Sequence, residues 1–411
     1  MMKQLYFIDM AIAGHMNGVT RCIQVLVNSF SKEEDFAVTW MHFENSDKCN
    51  TLQTEQRNGY TYVFVSLPRS LGDFLLSEQR QVALWTEVMP QILNNVQPNE
   101  PLILHVHTLN LIKFALFIRE RRDCRIVTHL HCIPWKALYN RNLSLFLELY
   151  ERYYIRHDYS QPAAFILYRY EELCYTQSDC LICVTQCARK FIHDMFPSRS
   201  LPVHVVYNGI ADMVTDESAA TRFLHQPVRL LFVGNAHDSK GLRYILESME
   251  ILRMRHETEL VVAGAISPSL QNHILKEHPF LDIQFKGILS FPQLRESYSS
   301  CDIGIIASLQ EQCSYVAIEM MMHGLPVVTT DIDGLRELFP GHLYACKIPV
   351  KYIPGKAFVP DVHKMADALS LLIQNPQLRS EFGRKARGRY KDKYTDDRMI
   401  ESIKKIYNHL T

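Results

Sequence analysis

The sequence predicts an α/β protein of two domains, each built on a parallel sheet flanked by helices. Its 411 residues exceed what one hydrophobic core usually supports. Short runs rich in Ile and Val alternate with helical patterns from end to end, as βαβ units require. A polar stretch over residues 211–226 separates the two series, so the expected domains are residues 1–210 and 211–385, followed by a last helical segment over 386–411.

Composition narrows the classes of partner. Lys and Arg number 44 and Asp and Glu 44, so no global field draws the chain to nucleic acid. Met1 to Asp9 lacks the apolar core and small-residue cleavage site of a signal peptide and reads as a first strand. No apolar run reaches the roughly 18 residues of a membrane span. Eleven cysteines, an odd number scattered through apolar segments, suit reduced thiols, and a cytoplasmic location is expected.

Taken in order, the first strand is followed by Ala13-Gly-His-Met-Asn-Gly18-Val-Thr-Arg21 and a helical run from Cys22 to Phe30. A flexible loop at this place lets backbone N–H groups approach a phosphate or sugar closely; an ordinary strand–helix turn is the equal alternative. Phe36 to Phe43 and Tyr60 to Leu67 read as strands, Val82 to Asn94 as a helix, Leu102 to His107 as a strand, Leu109 to Arg121 as a helix and Cys124 to His131 as a strand. Alternation puts His105 and His107 on one strand face, and His129 and His131 on another. No carboxylate or cysteine at ligand spacing completes a metal set, so none is expected, and for His105 and His129 hydrogen-bonded core histidines are the equal alternative to a role in a site. The aromatic and basic segment from Trp135 to Tyr175 has helical periodicity. It suits an acceptor groove, a peripheral contact with the inner face of a membrane, or a core stripe with a solvated face. Asp179 to Thr185 is a buried strand in which Cys180 and Cys183 face opposite ways, which disfavours an iron–sulfur site with Cys187. Val203 to Ile210 is a strand and turn.

The second series opens with strand Val228 to Val233, the turn Gly234 to Gly241 and a helix from Leu242 to Met254. Lys240 at a helix start opposes the helix dipole, a mismatch that a bound anion would resolve. Strands Leu260 to Gly264 and Ile283 to Gly287, a helix Phe291 to Tyr298 and a strand Cys301 to Ala307 lead to the most informative stretch. Glu311 falls in the loop after that strand, and Tyr315 to Met322 reads as a buried helix stopped by Gly324. Glu319 is then a carboxylate in an apolar helix, which demands a ligand, a hydrogen-bond network or a raised pKa. Helices from Val362 to Ile373 and from Asn375 onward close the chain.

Glu311, seven residues, Glu319 and then Gly324-Leu-Pro-Val-Val328 together resemble the donor-site signature of the retaining glycosyltransferases of family 4. These have the GT-B fold, two Rossmann-like domains with parallel sheets facing across a cleft. The Gly14 to Arg21 loop resembles the family's Gly-Gly-Val/Ile-x-Arg, with Asn17 at the first glycine; Val127 to His131 resembles its Val-x-Thr-x-His strand end, with His107 at a similar strand-end position; and Val203 to Ile210 resembles the close of its first domain. Gly234 to Gly241 resembles its Gly-Arg-x4-Lys-Gly, with Asn235 at the arginine. Gly334-Leu-Arg-Glu337 resembles its Gly-x-x-Glu turn, and the ending resembles the family's last helix, which crosses back to the first domain.

The resemblance implies a transferase moving a sugar from a UDP- or GDP-sugar to a carbohydrate, lipid-linked or protein hydroxyl, with no cofactor beyond that co-substrate. The setting it suggests is cell-surface polysaccharide or glycoconjugate synthesis. It assigns Glu311, Lys240 and His131 to catalysis and Gly18, Asn235, Lys240, Ser314, Tyr315, Val316 and Glu319 to the donor. No metal is expected there, since Lys240 and helix-start amides can neutralise the diphosphate, with Arg243 or Arg21 as the second cation. A non-catalytic GT-B partner subunit, or a phosphorylase or epimerase of related fold, are the alternatives.

Overall fold

The computed structural model describes residues 2–11, 18–46, 52–68, 85–86, 88–90, 100–158, 162–196, 201–214, 226–353 and 357–410. Within it the chain divides into two compact units. One comprises Met1–Tyr139, Leu143–Tyr207 and Asp396–Thr411, the other Asn208–Thr395 with Asn140–Asn142. The divisions thus fall after Tyr207 and Thr395, where the sequence suggested 210 and 385.

The first unit carries strands β1 (Lys3–Ala11), β2 (Phe36–Ser46), β3 (Leu52–Arg57), β4 (Tyr60–Pro68), β5 (Leu102–Val106), β6 (Arg125–Leu130), β7 (Cys180–Cys183) and β8 (Val203–Val205). They form one sheet in the order β3-β4-β2-β1-β5-β6-β7-β8. All neighbours are parallel except β3 and β4. β5 and β7 are buried at every position, as strands covered on both faces must be, which is why they read as unbroken apolar runs. β3 was not foreseen: its Leu-Gln-Thr-Glu-Gln-Arg is exposed throughout and lacks any alternation, and its place comes from the Asn58-Gly59 hairpin turn to β4.

Helices α1 (Gly18–Phe30), α2 (Ile112–Arg119), α3 (Pro134–Arg141), α4 (Leu143–Tyr150), α5 (Pro162–Gln177) and α6 (Gln186–Met195) accompany these strands. The loop ahead of Gly18, residues 12–17, lies outside the described residues, as does most of the helix expected over Val82 to Asn94, of which 85–86 and 88–90 are helical. From the aromatic segment Phe146, Leu149 and Tyr153 enter the core, whereas Leu147 and Ile155 remain exposed. No helix among the described residues is long and apolar enough to cross a membrane.

The second unit has a six-stranded parallel sheet in the order β11-β10-β9-β12-β13-β14. Its strands are β9 (Val228–Val233), β10 (Thr258–Ala263), β11 (Asp282–Gly287), β12 (Ile303–Ile306), β13 (Val327–Thr330) and β14 (Cys346–Ile348), beside a hairpin of β15 (Val350–Ile353) and β16 (Ala357–Pro360). Its helices are α7 (Leu242–Leu252), α8 (Pro268–Glu277), α9 (Phe291–Ser300), α10 (Tyr315–Met322), α11 (Asp333–Leu338), α12 (Val362–Gln374) and α13 (Pro376–Lys393). In α7 Leu242, Ile245, Leu246, Met249 and Leu252 form the buried stripe that helical spacing predicts. α8 was missed although Ser267 and Pro268 signal its start; the Ser267 hydroxyl accepts from the Leu270 amide. α13 belongs to this unit because Arg387, buried at mid-helix, donates to the Met322 carbonyl at 3.0 Å and the Asp212 carboxylate at 2.8 Å.

The last helix, α14 (Asp396–Leu410), belongs to the first unit. It buries Met399, Ile403, Ile406 and Tyr407, each worth about 1.5–3 kcal/mol when fully removed from water. The Tyr407 ring packs 5.3 Å from Phe30 and 6.1 Å from Phe36.

One buried acid makes the first unit sensitive to pH. Glu171 on α5 accepts from the Trp135 amide at 3.1 Å and from the Tyr175 hydroxyl, yet burial pushes its carboxyl from 4.5 up to about 8. The folded state therefore holds a proton that the unfolded chain releases, so this contribution to stability is complete below about pH 4.5 and is lost as pH rises through about 8. Replacing Glu171 with Gln should remove it. In urea unfolding at about pH 5 and about pH 9, the parent should lose stability relative to Glu171→Gln at the higher pH. Parallel behaviour of the two would mean that Glu171 is ionised in the fold.

Candidate active site

In the second sheet the chain runs outward from β9 to β10 and β11, then returns to start the other half at β12, which pairs directly with β9. The strand order reverses between these two strands, and the crevice beyond their carboxyl ends is where open α/β sheets bind ligands. Both loops expected to carry chemistry emerge there. After β9 comes a 3-10 turn, Asp238–Lys240, and after β12 the loop through Ser308 to Glu311. The Leu309 amide donates to the Ser239 carbonyl at 2.7 Å and joins them.

Gly241 sits at φ +72° with its backbone so near Ala307 that a Cβ would fall 2.1 Å from that carbonyl oxygen. Only glycine fits, and the close approach brings Lys240 to Glu311, 71 positions away, with Nζ 2.5 Å from Oε1. The Ser308 hydroxyl donates to the same Oε1 at 3.0 Å, and Thr330 at the end of β13 holds the Ser308 carbonyl. From the far side Gly334 presses on the loop: a Cβ there would lie 2.4 Å from the Glu311 carbonyl oxygen and 2.1 Å from that of Gln312. Glu311 is thus fixed on three sides. The dipole mismatch at Lys240 is met, in the chain alone, by this carboxylate.

Ser314 caps α10, its hydroxyl accepting from the Ala317 amide at 3.3 Å. The amides of Tyr315 and Val316 fall in the first turn, where a helix offers N–H groups and partial positive charge to an anion. All of α10 but Val316 is buried, including Glu319, which is 4% exposed. Of the three ways to accommodate that carboxylate the structure shows a network. The Tyr298 hydroxyl of α9 donates to Glu319 Oε2 at 2.6 Å, and the Tyr298 ring stacks on His323, with centroids 5.2 Å apart. Tyr298 lay within a helix the sequence marked, but its partnership depends on α9 packing beside α10.

Other expected site residues are placed differently. Asn235 is exposed and turned into its own loop, where its side-chain oxygen accepts from the His237 amide at 3.4 Å. Arg243 does not share a helical face with Lys240, because the left-handed Gly241 breaks the helical path between them. Its guanidinium instead lies over the Tyr244 ring at 4.5 Å and donates to the Tyr244 hydroxyl. Against the expectation that the sequence holds no Asp-x-Asp pair, Asp331 and Asp333 form one, and Arg336 engages them at 2.8 and 3.8 Å.

In the first unit Gly18 opens α1, and His131 follows the end of β6. His131 Nε2 lies 2.8 Å from His107 Nδ1. Burial of the ring pushes its pKa down to about 3, although the residue keeps some exposed surface, so the imidazole is neutral at physiological pH.

Two units of parallel strands and helices, with a lysine–glutamate pair at the switch point of the second, define a GT-B glycosyltransferase. The model "Glycosyltransferase Family 4" matches residues 16–212 and "Glycosyl transferases group 1" matches residues 227–375. The chain belongs to this family. An uncharacterised glycosyltransferase of Methanocaldococcus jannaschii is 27% identical over 170 residues, 38% of this chain and 44% of that protein. A Mycobacterium tuberculosis glycogen synthase is 26% identical over 235 residues, 56% and 54% of the two chains. The first two curated relatives are matched over 44% and 61% of their own lengths. Among solved structures, a sucrose-phosphate synthase from Thermosynechococcus elongatus aligns over 99% of both chains with TM-score 0.74 and 16% identity. HepE of Anabaena in complex with UDP-glucose aligns over 99% of both with TM-score 0.68 and 14% identity. At such identities the likeness is one of fold.

The Tyr298–Glu319 bond lends itself to a direct test. Tyr298→Phe keeps the ring packing but takes a donor from a buried carboxylate, which should cost about 1–3 kcal/mol in denaturant unfolding. Unchanged stability would show that Glu319 is satisfied without it.

Proposed function

We propose that the chain transfers a hexose from a UDP- or GDP-sugar to a hydroxyl acceptor with retention at the anomeric carbon, without a catalytic metal. Cell-surface polysaccharide or glycoconjugate synthesis on the cytoplasmic side of a membrane is the setting this reading favours. Its main support is the Lys240–Glu311 pair at the sheet's switch point. A lysine ammonium has three N–H donors, so Lys240 can keep Glu311 and still donate to a phosphate. As the sugar–oxygen bond breaks, negative charge grows on the departing diphosphate, and a preplaced cation lowers the barrier most at that moment. The amides of Tyr315 and Val316 would add to this stabilisation.

Glu311, held on three sides, would accept hydrogen bonds from hydroxyls of the donor sugar. Glu319, oriented by Tyr298, would accept from the ribose. The resemblance also assigns His131 to the reaction, and a neutral imidazole suits a hydrogen bond to an uncharged hydroxyl better than an ion pair. The UDP-glucose bound to HepE agrees with a nucleotide-sugar donor. A second reading, a partner subunit that binds donor without turning it over, draws on Asn235. That side chain brings no charge where the family pattern has arginine, and Arg243 is occupied by Tyr244.

Lys240→Ala should lower transfer roughly a hundredfold or more, the usual loss when a transition-state charge contact is removed. Parent-like transfer by this variant would take the diphosphate away from Lys240, and a parent that binds donor but never transfers would favour the partner-subunit reading. Glu319→Ala should weaken nucleotide binding by about 1–3 kcal/mol in calorimetry. Transfer should persist with EDTA in the assay; activity that vanishes and returns with magnesium or manganese would place a metal at the diphosphate.

A further inference from the structure

Four histidines meet inside the first unit, and of these only His131 has a role in the proposed reaction. β5 and β6 are parallel neighbours, with His105 opposite Val127. Strand alternation then directs His105 and His107 from one strand, and His129 and His131 from the next, to a common face. The rings form a close group: His105 and His129 stack at 5.3 Å with planes 4° apart, His105 and His107 lie 4.2 Å apart, and His107 and His129 5.1 Å. His105, His107 and His129 are 0%, 4% and 1% exposed.

Hydrogen-bonded core histidines would have their nitrogens engaged. Here His105 Nε2, His107 Nε2 and both nitrogens of His129, four of the six in these three rings, have no hydrogen-bond partner among the described residues. The two engaged nitrogens are those that second-shell partners hold in metal sites. His105 Nδ1 meets the Tyr407 hydroxyl at 2.5 Å, and His107 Nδ1 meets His131 Nε2 at 2.8 Å. With Nδ1–H donating to these partners, each ring presents a bare Nε2 lone pair, the tautomer a metal ligand needs.

We infer that His105, His107 and His129 form a binding site for a borderline divalent transition-metal ion, zinc being the natural probe. One nitrogen from each ring lies within 4.8 Å of the others. A zinc ion with nitrogens at its usual bond length sets them about 3.3 Å apart in a tetrahedron, a contraction that ring rotations can supply. Burial keeps all three imidazoles far below their ordinary pKa, hence neutral and able to ligate. The cost of a buried dication is eased by a thiol close by: Cys22 Sγ and a nitrogen of His131 lie within 4.8 Å of His129 as well, and a thiolate there would offset one charge. Such an ion would tie β5 to β6, serving structure, and the inference stands whether or not the donor-site assignment does.

The experiment is metal analysis of the full-length purified chain after incubation with zinc and exhaustive dialysis, with Co2+ substitution read by visible absorption. About one zinc per chain, the intense bands of tetrahedral Co2+, and loss of most of this binding in both His129→Gln and His105→Gln are expected, with binding retained in His193→Gln, whose side chain is 84% exposed. A parent chain that retains neither ion, or histidine variants that keep the parent's zinc content, would overturn the site. If the variants do not fold, the cobalt spectrum of the parent decides, tetrahedral bands supporting the site and weak octahedral bands refuting it.

Discussion

The second unit depends on how closely two backbones can approach. Gly241 lies against the Ala307 carbonyl, and no side chain fits between the turn after β9 and the loop after β12. Once those loops touch, a lysine and a glutamate that are distant in sequence have little choice but to meet, and each gains the counter-charge it would otherwise lack. Gly334 applies the same restriction from the other side. Steric exclusion therefore sets the electrostatics, rather than the attraction of the two charges assembling the loops. In a partly buried pair of this kind the cost of desolvating the two charges offsets much of their attraction, leaving too little to overcome a poor backbone fit.

The two units handle buried polarity in different ways. In the second, Glu319 is satisfied by a neighbouring hydroxyl whose ring is braced by His323, so an acid persists in an apolar helix. In the first, Glu171 also meets a tyrosine hydroxyl and a backbone amide, but its carboxyl keeps its proton. Elsewhere in the same unit, three imidazoles share a space in which most of their nitrogens are unmatched among the described residues. Buried polar groups left so are uncommon, and they concentrate where a protein has a use for them.

Much of this was legible in the chain. The apolar run from Tyr315 to Met322, closed by Gly324, gave a helix whose limits the structure reproduces, because capping serine, apolar circumference and stop residue agree. The strands around it were visible for the same reason: burial on both faces leaves no polar residue to confuse the pattern. Long-range partners were not legible. Nothing in local sequence says that Lys240 touches Glu311, that Tyr298 serves Glu319, or that Tyr244 captures Arg243, since each is settled by sheet order and helix packing. The supposed companionship of Arg243 and Lys240 failed on one residue, a glycine whose left-handed turn interrupts helical spacing. Edge elements such as β3 were missed because their residues face water, where the chain carries no periodic constraint.

The return of α14 to the first unit has a bearing on synthesis. That unit is discontinuous in sequence: its sheet is laid down by residues up to 207, but the tyrosine that covers Phe30 and Phe36 and meets His105 is residue 407. The second unit, almost all of it one continuous segment, has its strands and helices complete before that tyrosine leaves the ribosome. Domains as a rule mature in the order in which they are translated. Here the earlier-made half must wait, its apolar groove open, for the final fifteen-residue helix to close it.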